Sequence, residues 1–160
     1  MSNISRLTTL AASGEKKLYT SSTLQLITTA GSGTLSVPTD AVGMRVAIVG
    51  GGGGGAGNGS AGSNARACGG SGAGCAATKI VTAESITYTI GAGGTSGSNG
   101  ANSTASFGDY SLVGTGGLAG DVSANSITVS GSTGTGGDYN FSGGSSTGTV
   151  QRAYVASTGG

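Results

Sequence analysis

Six consecutive glycines, residues 50–55, follow directly on residues 44–49, the most strand-like run in the chain. Glycine supplies 36 of the 160 residues, roughly three times its ordinary share of about 7%. Positions without a Cβ atom cannot fill an apolar core, and each ordered glycine costs more backbone entropy than any other residue. The fold must therefore be held by backbone hydrogen bonds and close backbone packing, or by a partner chain. We expect an oligomer, or a subunit docked on another protein.

The glycines also recur at a spacing of three. This step occurs across residues 91–100, at Gly114, Gly117 and Gly120, and again at Gly131, Gly134 and Gly137. A polyproline II-type helix has three residues per turn, so this spacing gives it one bare edge along which another backbone can approach. Collagen shares the period but needs abundant proline, and the chain has one proline. Packed polyglycine II segments near 91–100 and 114–120, or Gly/Ser loops with chance spacing, remain as the alternatives.

Full disorder is disfavoured by two features of the composition. Charged residues make up only 8% of the chain, whereas disordered chains usually carry more charge. Short β-branched runs also recur between the glycine tracts, which flexible linkers lack. We expect a folded chain.

Short runs rich in β-branched residues predict strands, and no segment has a helical period. The strongest runs are residues 44–49 and 86–90, and each ends in a glycine tract. We therefore expect 44–49 to be a central strand paired with 86–90. The remaining candidates are residues 23–28, 33–38, 78–81, 106–113, 126–130 and 150–156. The predicted class is all-β: a small β-hairpin or sandwich scaffold with glycine-rich loops or polyglycine II segments and no substantial helix.

Composition divides the chain into three parts. Residues 1–23 are poor in glycine and carry Arg6, Glu15, Lys16 and Lys17, which predicts an attachment arm for another protein, with a frayed terminus as the alternative. Residues 24–120 form the predicted glycine-rich β domain. Residues 121–160 form a C-terminal glycine- and serine-rich extension.

The sequence argues against an enzyme. It has no histidine, the commonest general base, and its six acidic residues are dispersed. The same dispersion disfavours a metal site. Residues 44–55 fit a strand followed by GxGxxG, but residues 56–64 cannot supply the helix whose N-terminus would hold a pyrophosphate. We expect no cofactor.

Charge and hydropathy limit the kinds of partner that we expect for this chain. The net charge is +1 with dispersed basic residues, so nucleic acid is not an expected partner. No apolar run approaches the ~20 residues that span a bilayer, and residues 1–10 lack a signal peptide's apolar segment. We expect synthesis in a cytoplasm and no membrane insertion.

Cys68 and Cys75 are the two cysteines of the chain. They would close a short loop if oxidised, and two free, packed thiols are the alternative. Zinc normally needs four ligands, and a catalytic thiol would lack a histidine base.

Aromatic residues in the glycine-rich body are candidates for contact with a ligand. They are large anchors with low entropy cost, and Asp, Asn and Tyr together suit the hydroxyl groups of sugars. The alternative is that the aromatic rings fill the small core, which we favour for Phe107. The predicted binding residues are Asp109, Tyr110, Asp138, Tyr139 and Asn140.

A resemblance to a known family rests on the order of several pieces. These are Gly-Thr-Leu-Ser-Val-Pro at 33–38, Met-Arg-Val-Ala-Ile-Val and six glycines at 44–55, a Gly/Ala/Ser tract at 69–74, Ile-Thr-Tyr-Thr-Ile-Gly-Ala-Gly-Gly at 86–94, Thr-Ala-Ser-Phe-Gly at 104–108 and Val-Gly-Thr-Gly-Gly at 113–117. Over residues 24–120 the chain resembles the glycine-rich domain of bacteriophage tail fibres and tail tips. The resemblance implies β-hairpins supporting glycine-rich loops or helices, at the distal end of a trimeric fibre that attaches to a host surface.

The expected function is therefore that of a virion structural protein, a tail-fibre or tail-tip adhesin. Its expected partners are other virion proteins, further copies in a homotrimer, and a host surface glycan or outer-membrane protein. A capsid, head-fibre or tail subunit without receptor binding is the alternative. An ice-binding protein is a third hypothesis, but the Thr-x-Thr pattern occurs only once, at Thr87 and Thr89.

Overall fold

The computed structural model describes part of the chain. The described residues are 24–39, 41–56, 65–66, 69–79, 85–120, 122–123 and 126–149. The predicted arm at 1–23 and the predicted strand at 150–156 lie outside them.

Within these ranges the chain forms eleven β-strands and no helix, which confirms the all-β class. The strands are β1 Gly31–Ser36, β2 Met44–Val49, β3 Ala65–Arg66, β4 Gly74–Lys79, β5 Ser85–Ile90, β6 Ser103–Phe107, β7 Tyr110–Gly114, β8 Val122–Ser123, β9 Ser126–Val129, β10 Tyr139–Phe141 and β11 Ser146–Thr149. No helix of the described residues is long and apolar enough to cross a membrane.

The larger sheet has the strand order β1-β5-β6-β7, and all its pairings are antiparallel. Strands β6 and β7 form a hairpin in which Phe107 pairs with Tyr110. Gly108 is the first residue of the two-residue turn and has φ +52°. Two-residue hairpin turns require a positive φ at this position, which glycine adopts without steric cost.

The second sheet has the order β10-β4-β2 and is also antiparallel. The predicted pairing of residues 44–49 with 86–90 is therefore wrong, because β2 pairs with β4 while β5 lies between β1 and β6. Nor is β2 central, since β4 lies between it and β10. The prediction ranked runs by their β-branched content, whereas β4 is Gly-Cys-Ala-Ala-Thr-Lys. Its small side chains allow it to lie at the centre of the sheet, covered on both faces.

Two further strand predictions were misplaced. The described residues of the 23–28 run contain no strand, and Leu24 and Leu26 are 89% and 81% exposed. The strand predicted at 78–81 is strand β4, which begins four residues earlier at Gly74. The alternation rule misses β4, because alanine and glycine carry too little hydrophobic contrast to show which face is buried.

The two sheets pack face to face around one small core. Its buried members are Ile48, Cys75, Ala77, Ala105, Phe107 and Leu112, and Met44, Val46, Ile86, Tyr88 and Tyr110 pack against them partly buried. Phe107 is 2% exposed, which confirms the core assignment of this ring, and it stacks on Tyr110 with ring centroids 5.2 Å apart. So small a core leaves much of the stabilisation to backbone interactions.

Strand β10 contributes to the second sheet from the part of the chain that lies beyond residue 120. Tyr139 pairs with Ala76, and Phe141 pairs with Gly74. Val113 and Thr135 also form an isolated antiparallel bridge. The remaining pairs, β9 with β11 and β3 with β8, form separate two-stranded sheets. The division of the chain into three parts stays a prediction.

Candidate functional site

Five glycine-rich segments pack together beside the sheets. They are residues 50–55, 69–73, 91–95, 98–102 and 114–120, and we refer to them as the glycine bundle. Residues 50–55 continue from the end of β2. They form hydrogen bonds with all four of the other segments, and also with Gly97 in the turn that joins the segments 91–95 and 98–102. These six glycines are the central tract of the bundle.

Hydrogen bonds from the neighbouring segments to the central tract repeat every three residues. Gly94 and Gly97 donate their N–H groups to the carbonyls of residues 52 and 55, both at 2.8 Å. Gly117 and Gly120 donate in the same way to residues 51 and 54, at 2.8 and 2.7 Å. In both cases the residue numbers rise together, so these neighbours run parallel to the tract.

The central tract donates to its other two neighbours with the same step of three. Residues 50 and 53 donate to the carbonyls of Ala73 and Gly70, both at 2.9 Å. Residues 51 and 54 donate to Ala101 and Ser98, at 3.0 and 2.9 Å. The partner numbers now fall as the tract numbers rise, so these two segments run antiparallel to it.

A three-residue step in every hydrogen-bonded pair is the geometry of polyglycine II, in which helices with three residues per turn bond sideways to one another. None of the glycines described in 50–55 and 114–117 has a positive φ, in agreement with that helix. The hydrogen bonding agrees with the ordered polyglycine segment predicted at 114–120. The one predicted at 91–100 is two segments, because the chain turns at 95–98.

That turn is of a type that requires glycine. Ser98 donates its N–H to the carbonyl of Thr95 at 2.9 Å, and Gly97 has φ +72°. A positive φ at the third position of such a turn marks type II, which favours glycine there. The turn reverses the chain, so residues 91–95 and 98–101 both lie along the central tract.

The absence of side chains lets the segments approach this closely. A Cβ at Gly50 or Gly53 would collide with the backbone of residues 114–118, and one at Gly51 or Gly54 with that of residues 92–95. The nearest atom is a carbonyl oxygen in each case, so a glycine Cα–H points at a C=O group. Such contacts are weak individually but recur along the tract.

Two asparagines form a side-chain ladder with the same period. The Oδ1 of Asn102 accepts from the N–H of Gly116 at 2.9 Å, and the Oδ1 of Asn99 accepts from the N–H of Ala119 at 2.7 Å. Both steps are three residues. Sequence reasoning missed these residues, although an Asn-x-x-Asn spacing within the glycine repeat was a readable signal.

On the outer face of the second sheet lies an apolar surface, which we call the aromatic shelf: Ala47, Val49, Tyr139 and Phe141. Tyr139 and Phe141 are 60% and 50% exposed and lie two residues apart on β10, hence on one face. Phe141 and Val49 flank Gly74, since a Cβ at Gly74 would lie 3.4 Å from Phe141 Cδ2 and 3.3 Å from Val49 Cγ2. Phe141 was not among the predicted binding residues, because the prediction favoured Asp, Asn and Tyr, whose polar groups suit sugar hydroxyls.

The five predicted binding residues have different roles in the fold. Asp138 accepts from the Tyr110 hydroxyl at 3.0 Å and from the Thr78 N–H at 2.9 Å, so it links the hairpin to β4. Asn140 closes the turn before it, because its side chain accepts from the N–H of Gly137 and donates to the carbonyl of the same residue. Asp109 is exposed in the β6–β7 turn, next to Tyr110. Tyr139 is the member of the set that presents a large exposed ring.

Cys75 is a buried free thiol between the sheets. Its Sγ donates to the carbonyl of Thr135 at 3.1 Å and, more weakly, to that of Val113 at 3.6 Å. Burial raises the pKa of the Cys75 thiol above its ordinary value. Since Cys75 is free, the structure does not show the predicted disulfide with Cys68, which lies outside the described residues. No cluster of three or more His, Cys, Asp or Glu side chains with metal-binding geometry occurs among the described residues.

Fold and site together define a class: an all-β protein in which a bundle of hydrogen-bonded glycine-rich segments packs beside two small antiparallel sheets. Residues 28–160 match the family model of a glycine-rich domain. The match covers most of the chain, and the chain belongs to this glycine-rich domain family. No curated protein matches its sequence significantly.

Proposed function

We propose that this chain is a virion structural protein of the bacteriophage tail-fibre or tail-tip type, which contacts the host cell surface through the aromatic shelf. The resemblance of residues 24–120 to tail-fibre glycine-rich domains suggests this setting. The single observation that carries the binding role is the exposure of Tyr139 and Phe141 side by side on one strand. Contiguous exposed apolar surface marks interaction sites in soluble proteins.

A stiff frame supports an adhesive role. Ordering loops on binding costs free energy, and the shelf is free of most of that cost because it lies on paired strands. Its strand β10 is held in register by Ala76 and Gly74. The turn that precedes β10 is closed by the reciprocal Asn140–Gly137 hydrogen bonds.

A surface glycan of the host is the ligand class that we favour. Two neighbouring aromatic rings offer flat apolar surface for the C–H faces of sugar rings, and the Tyr139 hydroxyl supplies a polar group at the same place. In this proposal no catalytic step and no cofactor is involved. The other partners are virion proteins, and the assembly is a homotrimer, with residues 1–23 as its attachment arm.

A purely structural virion subunit is the second candidate. The observation that favours it is that Tyr110, Asp138 and Asn140 all make hydrogen bonds within the fold. Three of the five predicted binding residues therefore have a structural role that needs no receptor.

Adsorption of particles to host cells distinguishes the two candidates. Particles carrying Tyr139→Ala together with Phe141→Ala are compared with particles carrying Leu118→Ala, which truncates an exposed apolar residue outside the shelf. Removing an aromatic hot spot costs about 2 kcal/mol or more, roughly a thirtyfold loss of affinity. We expect that loss for the shelf variant and none for the control. Normal adsorption by shelf-variant particles with full incorporation of the protein would favour the structural subunit.

A further inference from the structure

Residues 52 and 55 form a third face of the central tract, and that face is open. A Cβ added at either glycine would meet no atom within 4 Å. Both residues are exposed. Their N–H groups make no hydrogen bond to any of the described residues, whereas those of residues 50, 51, 53 and 54 all do. These two N–H groups lie one helical turn apart, about 9 Å at 3.1 Å per residue.

Gly93 extends this face onto the neighbouring segment. It is exposed, and a Cβ there would have a single atom nearby, the carbonyl oxygen of Gly52 at 3.7 Å. Neither its N–H nor its carbonyl bonds to a described residue. The open glycine face, made of Gly52, Gly55 and Gly93, therefore carries backbone donors and a backbone acceptor and no side chain.

Nothing in the described fold requires glycine at these three positions. There is room for a side chain, and none of the three has a positive φ. Glycine in place of alanine still costs backbone entropy at each position in regular structure. On the other two faces of the tract, the same residue type is explained by a backbone packed against it. Close approach of a further backbone would explain it on this face as well.

We infer that the open glycine face docks against a second copy of this chain. The occupant must present a backbone edge without side chains and a free carbonyl for these donors. The same edge of a second copy has no side chains and carries the Gly93 carbonyl as an acceptor. Docking would continue the sideways hydrogen bonding that already joins the tract to four segments of its own chain. This inference is independent of host attachment.

Sedimentation velocity over a range of protein concentrations tests the inference on the full chain. We expect the wild type to self-associate, and the Gly52→Ala/Gly55→Ala variant to do so at least tenfold more weakly, because two methyl groups hold the backbones apart. The far-UV spectrum and the melting temperature of this variant should equal or exceed those of the wild type, since both positions are open. Gly93→Ala, on the neighbouring segment, should weaken association in the same direction.

The Tyr139→Ala/Phe141→Ala variant is the matched control, because it removes exposed apolar side chains that are not part of the open glycine face. It should associate as the wild type does. A wild type that is monomeric at all concentrations overturns the inference. An alanine pair that associates normally also overturns it, and so does loss of association in the shelf variant alone. An alanine pair that fails to fold overturns it too, because that result would show that the face is not open.

Discussion

Gly54 lies against Thr95 so closely that a Cβ on residue 54 would come well within 3.0 Å of the Thr95 carbonyl oxygen. This oxygen also accepts the N–H of Ser98, the bond that closes the turn between two segments of the bundle. Neither the tract nor the turn can shift without breaking hydrogen bonds. The next residue, Gly55, has open space at the same position. Adjacent glycines in one homopolymeric run thus differ completely in how much room they have.

We predict that Gly54→Ala destabilises the protein by about 2 kcal/mol or more, the range of overpacked buried positions, while Gly55→Ala is neutral or slightly stabilising. The alanine at 55 reduces the entropy of the unfolded chain at no steric cost. Urea unfolding of both variants measures the difference. Equal stability of the two would contradict the packing described for the central tract.

The ladder formed by Asn99 and Asn102 predicts that the free energy of unfolding depends on the side-chain oxygen of these residues. Asn102→Ala should lower the free energy of unfolding by about 1 kcal/mol, because the N–H of Gly116 loses its partner. Asn102→Asp keeps an acceptor oxygen at the same place and is the control, expected to retain most of the stability. If aspartate proves as damaging as alanine, the hydrogen bond does not account for the role of this residue.

The bundle could be predicted in part from the sequence, because a period of three is visible in residues 114–120. The arrangement around residues 50–55 could not, because six identical residues carry no period. Which glycine faces which neighbour is decided by the hydrogen bonds of other segments, such as the Gly94 and Gly97 donors. The turn at Gly97 falls within the glycine spacing and is therefore hidden by it.

Strand pairing was the weakest part of the sequence prediction, for a related reason. Residues 44–49 and 86–90 were recognisable as strands, but pairing depends on complementary faces, and their true neighbours include β4, made of small residues. The candidate site was likewise predictable only where residue type, and not strand pairing, decides it. Tyr139 was predicted from its residue type, whereas Phe141 is exposed beside Gly74, its partner on the neighbouring strand, and that pairing could not be read from the sequence.

Asp138 and Tyr110 form a link whose strength can be measured separately. Asp138→Ala should cost about 1 kcal/mol in the free energy of unfolding, since Tyr110 and the Thr78 N–H each lose an acceptor at an exposed site. Asp138→Asn should cost less, because one carboxyl oxygen remains in place as an amide oxygen. A double-mutant cycle with Tyr110→Phe measures the coupling. Strict additivity of the two changes would show that the hydroxyl and the carboxylate do not interact.

Cys75 predicts how stability should change in alkaline solution. Burial raises the pKa of this thiol above the ordinary value of 9.0, so above that value the unfolded chain loses the proton before the folded one does. The folded state then binds more protons than the unfolded state, and stability falls as the pH rises. The stabilisation is complete below the ordinary pKa and is lost as the pH rises through the folded pKa. Thermal unfolding between pH 7.5 and 10.5 under reducing conditions should show a steeper decline for the wild type than for Cys75→Ala. All other residues are the same in both proteins, so the comparison isolates Cys75. Parallel curves would mean that Cys75 is not a buried, protonated thiol in the folded chain.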